Sequence, residues 1–128
     1  MIHLLLLVAL LAVNPQTQTA SIEITLVPAE GEGPDSHGNI GGAVSNVLHP
    51  EQYKIVLYAQ TNTWYIQPTI KDHFTDIDRR GHWGNRTHLG YRYAAILVQT
   101  SFKPTSPTEK LPDVGGPVLA RTEVAAKQ

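Results

Sequence analysis

Cysteine is absent from this 128-residue chain, so disulfide staples, thiolate metal sites and a cysteine nucleophile are excluded together. A charge excess is lacking too. Ten Lys plus Arg oppose eleven Asp plus Glu, a formal net charge of −1. No basic surplus is left to neutralise a phosphate backbone, which argues against nucleic acid as a partner. No apolar run reaches the roughly 20 residues needed to cross a bilayer as a helix, so no integral membrane span is expected. Beyond the first twenty residues the apolar positions recur at two, not at three or four, and no amphipathic helix is expected. Catalytic signatures are missing as well: there is no Gly-x-Ser-x-Gly elbow and no glycine-rich phosphate loop ahead of a helix.

What is present suffices for one domain. A hydrophobic content of 41% in a chain of this length encloses a single core, with stability drawn from packing alone. Leu4 to Val13 is an unbroken apolar run ending at Asn14 and Pro15, the length of an export segment and too short for a span. Residues 1–20 are therefore read as a signal peptide cleaved near Ala20. Residues 21–128 then form the domain, located outside the cell or on its surface.

Period-two patterning marks the strands. Ile22, Ile24 and Leu26 alternate with Glu23, Thr25 and Val27 up to Pro28. Ala29 to Gly42 reads as a long loop because it is rich in Gly, Pro, Asp and Ser, with Ala43 to Leu48 a short strand after it. Tyr53 to Gln60 and Tyr91 to Thr100 are apolar on both alternating faces, which is the pattern of central strands. Thr61-Asn62-Thr63 turns the first of these into Trp64 to Gln67, a hairpin limited by Pro68. Phe74 to Ile77 is a further short strand, and Asp78 to Gly81 a turn whose glycine supplies positive φ. Asn85 to Gly90 reads as polar loop. Lys103 to Pro117 carries four prolines and two glycines and reads as an extended connection, not packed structure. Val118 to Val124 closes a sheet edge. The expected fold is all-β, a single antiparallel β-sandwich of about seven short strands with extended terminal segments, a small barrel being the alternative.

A set of residues then falls in a characteristic order: Gly42-Ala43-Val44, Val47, Pro50, Tyr53 to Tyr58, Trp64 to Pro68, Thr75, Ile77, Gly81, Trp83, and Tyr93 to Val98. From about Gly42 to Val98, with continuation to Leu119, this order resembles the small β-sandwich accessory modules of secreted bacterial glycoside hydrolases and surface proteins. Such modules are regarded as carbohydrate-binding or as Ig-like spacers. The resemblance implies a non-catalytic module, with a polysaccharide or cell-surface glycan as partner.

Trp64, Tyr65 and Trp83 are the candidate ligand-binding residues, since flat aromatic faces stack on the C–H face of a sugar ring. Trp64 and Tyr65 are adjacent in a strand and point to opposite faces, so at most one of them serves a binding face while the other enters the core. His73, His82 and His88 share a segment with Asp72, Asp76 and Asp78, but their spacing is poor for zinc and lacks the recurring acids of a calcium loop; no metal or other cofactor is expected. Asp76 and Asp78 could face one bond as a carboxylate pair, a third-ranked hydrolase reading. Asn85-Arg86-Thr87 matches a glycosylation acceptor and is read as chance. Arg79, Arg80, Arg86 and Arg92 are offset by nearby acids and read as a solvated face. No enzymatic activity is expected. The leading expectation is a secreted carbohydrate-binding or cell-surface module. The alternative is a structural subunit of an extracellular assembly, self-associating by strand addition at open sheet edges.

Overall fold

The computed structural model describes residues 19–128, so the apolar run read as an export segment lies outside the described residues. Eight strands follow in chain order: β1 (Ser21–Leu26), β2 (His37–Ser45), β3 (Lys54–Gln60), β4 (Trp64–Gln67), β5 (Thr75–Asp76), β6 (His82–His88), β7 (Arg92–Val98) and β8 (Val118–Ala125). They form two antiparallel sheets. One has three strands in the order β1-β2-β6. The other has five, in the order β4-β3-β7-β8, with β5 paired to β3 beyond the end of β4. The all-β sandwich expected from the alternation is the fold observed, and β3 and β7 are the interior strands of the larger sheet.

Alternation along β3 and β7 feeds two separate cores. Ile55, Leu57 and Ala59 of β3 and Tyr93, Ala95 and Leu97 of β7 face the smaller sheet, where they meet Ile22, Ile24, Ile40, Val44 and Trp83. The intervening Val56, Tyr58, Ala94, Ile96 and Val98 face away from it. That second face would be solvated in an ordinary sandwich. Here Trp64, Ile66, Val118 and Leu111 close over it, with Phe74 and Phe102 packed against them. The proline-rich stretch is thus extended, as its composition dictates, but it is packed, contrary to the sequence reading. Trp64 N donates to Thr108 O and Thr108 N to Trp64 O, both at 3.0 Å, and Ile66 N donates to Ser106 Oγ at 3.0 Å. Arg121 Nη1 holds Pro112 O at 2.8 Å.

Two further sequence expectations are corrected. β2 begins at His37, inside the stretch read as loop, because its glycines serve close approach and not a turn. A Cβ on Gly42 would fall 2.7 Å from Trp83 Cζ2 and inside contact distance of Glu23 O. Asn85 to His88 continues strand β6, which pairs with β2 from His37↔His88 to Ala43↔His82. Its outward residues are polar because that side of the smaller sheet faces solvent, while Trp83 and Thr87 point inward and are buried. Leu26 is exposed although it shares parity with Ile22 and Ile24, because the β1–β2 register shifts between Ile24 and Leu26. The turn before β6 forms as expected, with Gly81 at φ 88°.

The margins of the two sheets are bonded to each other. On one side Lys127 N donates to Pro28 O at 2.9 Å. On the other, Asn85 Nδ2 donates to Thr75 Oγ1 at 3.0 Å and His88 N to Gln67 Oε1 at 2.8 Å. Where the chain rises into β7, the Tyr93 hydroxyl accepts from Gly90 N at 2.9 Å and donates to Ala29 O at 2.6 Å. This is a tyrosine-corner arrangement that pins the β1–β2 connection to the larger sheet; burial raises the Tyr93 phenol above its usual range. Among the described residues, no helix is long and apolar enough to cross a membrane.

Candidate functional site

Five strands face three, and the larger sheet overhangs the smaller one at β4. The consequence falls on the two faces of that strand. Trp64 and Ile66 turn to the covered outer side and are buried. Tyr65, the cross-strand partner of Ala59 on the other face, emerges beyond the margin of the smaller sheet. The opposition of Trp64 and Tyr65 expected from strand geometry holds, and it leaves Trp64 5% and Tyr65 39% exposed. Trp83 is 6% exposed, in the core between the sheets, with its indole Nε1 unpartnered among the described residues. Of the three aromatics singled out in the sequence, Tyr65 alone offers a face to solvent.

An open groove of about 690 Å³ lies under this overhang, within the size range of small-molecule sites. Tyr65, Gln67 and Ala59 contribute from the larger sheet, His88 and Leu89 from the end of β6, and Ile70, Ser106 and Pro107 from the flanking loops. Its floor is held by Gln67, which is 4% exposed. The Gln67 Oε1 accepts from His88 N at 2.8 Å and stands 3.1 Å from His88 Nδ1, and Gln67 Nε2 donates to Tyr65 O at 3.3 Å. A smaller depression of about 470 Å³ adjoins the groove: it shares Gly33 and Thr61 with it and adds Glu32, Asn62 and Tyr91. Tyr65 donates to Asn62 Oδ1 at 3.3 Å, and Tyr91 to Glu32 Oε1 at 2.8 Å. The hydrogen bond to the Glu32 carboxylate raises the Tyr91 phenol above its usual value, so it remains a neutral donor.

Tyr91 was not among the sequence candidates. The sequence pattern makes it the first residue of a central strand, on one face with Tyr93, but β7 starts at Arg92 and Tyr91 stands in the bend before it, 42% exposed. The legible signal was Gly90, where a Cβ would come within 2.6 Å of Gln60 O; so tight an approach bends the chain just before the strand begins.

The carboxylates and histidines are dispersed. Asp76 is engaged by Lys54 Nζ at 2.6 Å. Asp78 Oδ1 accepts from His82 N at 2.9 Å and Arg80 N at 2.8 Å. These backbone bonds, the His82 one foremost, hold its carboxyl below the usual range, the opposite of what a general acid needs. His73 lies edge-on to Phe74 and His88 beside His37. Among the described residues no three of His, Asp and Glu are grouped so as to hold a metal ion. Asn85 spends its amide nitrogen on Thr75 within the fold. Comparison of the chain with protein-family models, characterised proteins and solved structures gives no significant match to any of them.

Proposed function

We propose that the protein is a secreted, non-catalytic module that binds polysaccharide or a cell-surface glycan in the groove beneath β4. The observation that carries this reading is the placement of the two exposed aromatic side chains among the described residues, Tyr65 and Tyr91. They stand on adjoining depressions that share Thr61 and Gly33. Two rings on adjoining depressions, with the hydroxyls of Thr61 and Ser106 and the amide of Asn62 in their linings, suit the alternating apolar faces and hydroxyl edges of a sugar chain. The groove is open at the surface and mixes apolar loops with a fixed polar floor, which suits a ligand held by stacking and hydrogen bonds without chemistry on it.

Assembly by strand addition has less support. It needs an open edge, and β4 is bonded along its outer side by Thr108 and Ser106. The strands β1, β6 and β8 each pair with a single strand among the described residues, but no exposed apolar stripe marks those three edges as a docking surface.

Retention on insoluble polysaccharides and glycan arrays tests the proposal. Each of Tyr65→Ala and Tyr91→Ala is expected to weaken binding by up to about tenfold, the scale of one aromatic stacking contact, with the melting temperature nearly unchanged. Trp64→Ala and Trp83→Ala should instead lower stability. Absence of retention on any glycan, or retention unaltered in the double tyrosine variant, would overturn it.

A further inference from the structure

His37 and His88 face each other directly across the β2–β6 pair, so both side chains leave the sheet on the same side, the polar outer one. Their ring centres are 4.4 Å apart with the planes tilted by 43°. His37 is exposed and His88 half-buried. The two residues are 51 positions apart in the chain, so the register of the sheet alone creates the pair.

The state of one ring is fixed by its surroundings. Gln67 is bonded at both ends of its amide: its oxygen accepts from His88 N, and its nitrogen donates to Tyr65 O. Rotating the amide would set an NH₂ group against a backbone N–H, so the oxygen stays where it is, 3.1 Å from His88 Nδ1. The neutral imidazole therefore carries its hydrogen on Nδ1 and keeps a free lone pair on Nε2. A carbonyl oxygen behind the distal ring nitrogen is the support that orients ligating histidines and raises their basicity.

The spacing suits a shared ion. Metal–imidazole bonds are about 2.0–2.1 Å and a ring nitrogen lies about 1.2 Å from its ring centre, so two imidazoles bound at a right angle, as around tetragonal copper or nickel, have centres about 4.5 Å apart, and about 5.2 Å apart at the tetrahedral angle of zinc. The 4.4 Å observed meets the right-angle value, and a tetrahedral zinc would need the rings to part by about 0.8 Å.

We propose that His37 and His88 form a two-histidine site for a borderline divalent transition-metal ion of the zinc, nickel or copper class. Imidazole donors favour these ions over magnesium and calcium, which demand oxygen ligands. No third His, Asp or Glu joins the pair among the described residues, so solvent or a bound molecule completes the coordination and the ion exchanges freely. The pair shares His88 with the groove but needs no glycan to hold an ion.

Calorimetric titration of the untagged full chain with zinc, nickel and copper salts tests it, with magnesium and calcium as controls. Saturable binding of at least one transition ion is expected, with a rise in melting temperature and no binding of the controls. His37→Asn and His88→Asn should each weaken it at least tenfold while leaving the far-ultraviolet dichroism spectrum intact, and His73→Asn and His82→Asn should leave it unchanged. Three outcomes would overturn the site: no binding of any of the three ions, binding kept by the His37→Asn/His88→Asn double variant, or binding that follows His82 or His73 instead.

Discussion

The two sheets solve the problem of a buried face in different ways. The larger sheet is covered on both sides, by the smaller sheet on one and by the chain between β7 and β8 on the other, so β3 and β7 carry nearly continuous apolar runs. The smaller sheet is covered on one side only. Its strands alternate except at Gly41 and Leu26, they include a glycine, Gly42, where Trp83 and the β1 backbone come close, and they leave histidine, arginine and asparagine outward. Apolar density along a strand thus reports how many faces are covered, and glycine inside a strand reports what approaches it.

Gly42 and Gly84 give the sharpest break of this contrast. Gly42→Ala drives a methyl into Glu23 O and the Trp83 ring, and backbone cannot yield as a side-chain tip does. A loss of about 3 kcal/mol, or failure to fold, is expected by urea denaturation. Gly84→Ala on the open face meets only ordinary contacts beyond 3.4 Å and should change stability by no more than about 0.5 kcal/mol.

The second cover is tested by Leu111. Leu111→Ala opens a cavity over Val56, Tyr58 and Ile96 and is expected to cost about 2–4 kcal/mol, whereas Val114→Ala, on an exposed neighbour, should be nearly silent. Equal, small effects for both would mean that the proline-rich segment does not seal the outer core in solution.

The buried tyrosines sharpen the comparison at the level of single hydroxyls. Tyr93→Phe leaves Gly90 N and Ala29 O without their partner and should destabilise by about 1–3 kcal/mol. Tyr58 has no partner for its hydroxyl among the described residues, and burial pushes its phenol up to about 12. Tyr58→Phe is therefore expected to be neutral or to stabilise by about 1 kcal/mol at neutral pH. Its pH dependence has a definite sign. An unfolded phenol ionises near 10.0 and the folded one only near 12, so stability is unaffected below the first value and is lost as pH rises between them. Tyr58→Phe should flatten that alkaline loss in a melting-temperature series, leaving the parts due to Tyr93 and Tyr91.

The smallest effect belongs to Asp78, on the surface turn. Its folded carboxyl is lowered by backbone hydrogen bonds, so its contribution is present above the ordinary carboxylate range and fades as pH falls through the folded value. Asp78→Asn keeps an acceptor oxygen for His82 N and Arg80 N; it should change little at neutral pH and reduce the acid-side slope.

Much of the fold was legible because strand patterning is written locally. β3, β7, the Trp64 hairpin and the Gly81 turn follow from alternation and turn chemistry in short windows. Asn85 to His88 was missed because a strand with one solvated face is rich in the residues that loops use, and the start of β2 because its glycines resemble those of a turn. The groove was half legible: Tyr65 was named from its chemistry, while Tyr91 was hidden by an alternation carried one residue past the end of its strand.

The sequence by itself determined the absence of disulfides, the antiparallel strand pattern, and the fact that Trp64 and Tyr65 must part company. Only the tertiary structure decided which of the two meets solvent, where the proline-rich segment lies, and that His37 and His88 stand side by side. Side-chain parity is a property of the local backbone, whereas exposure depends on whichever layer, contributed from far along the chain, stops short of that position or covers it.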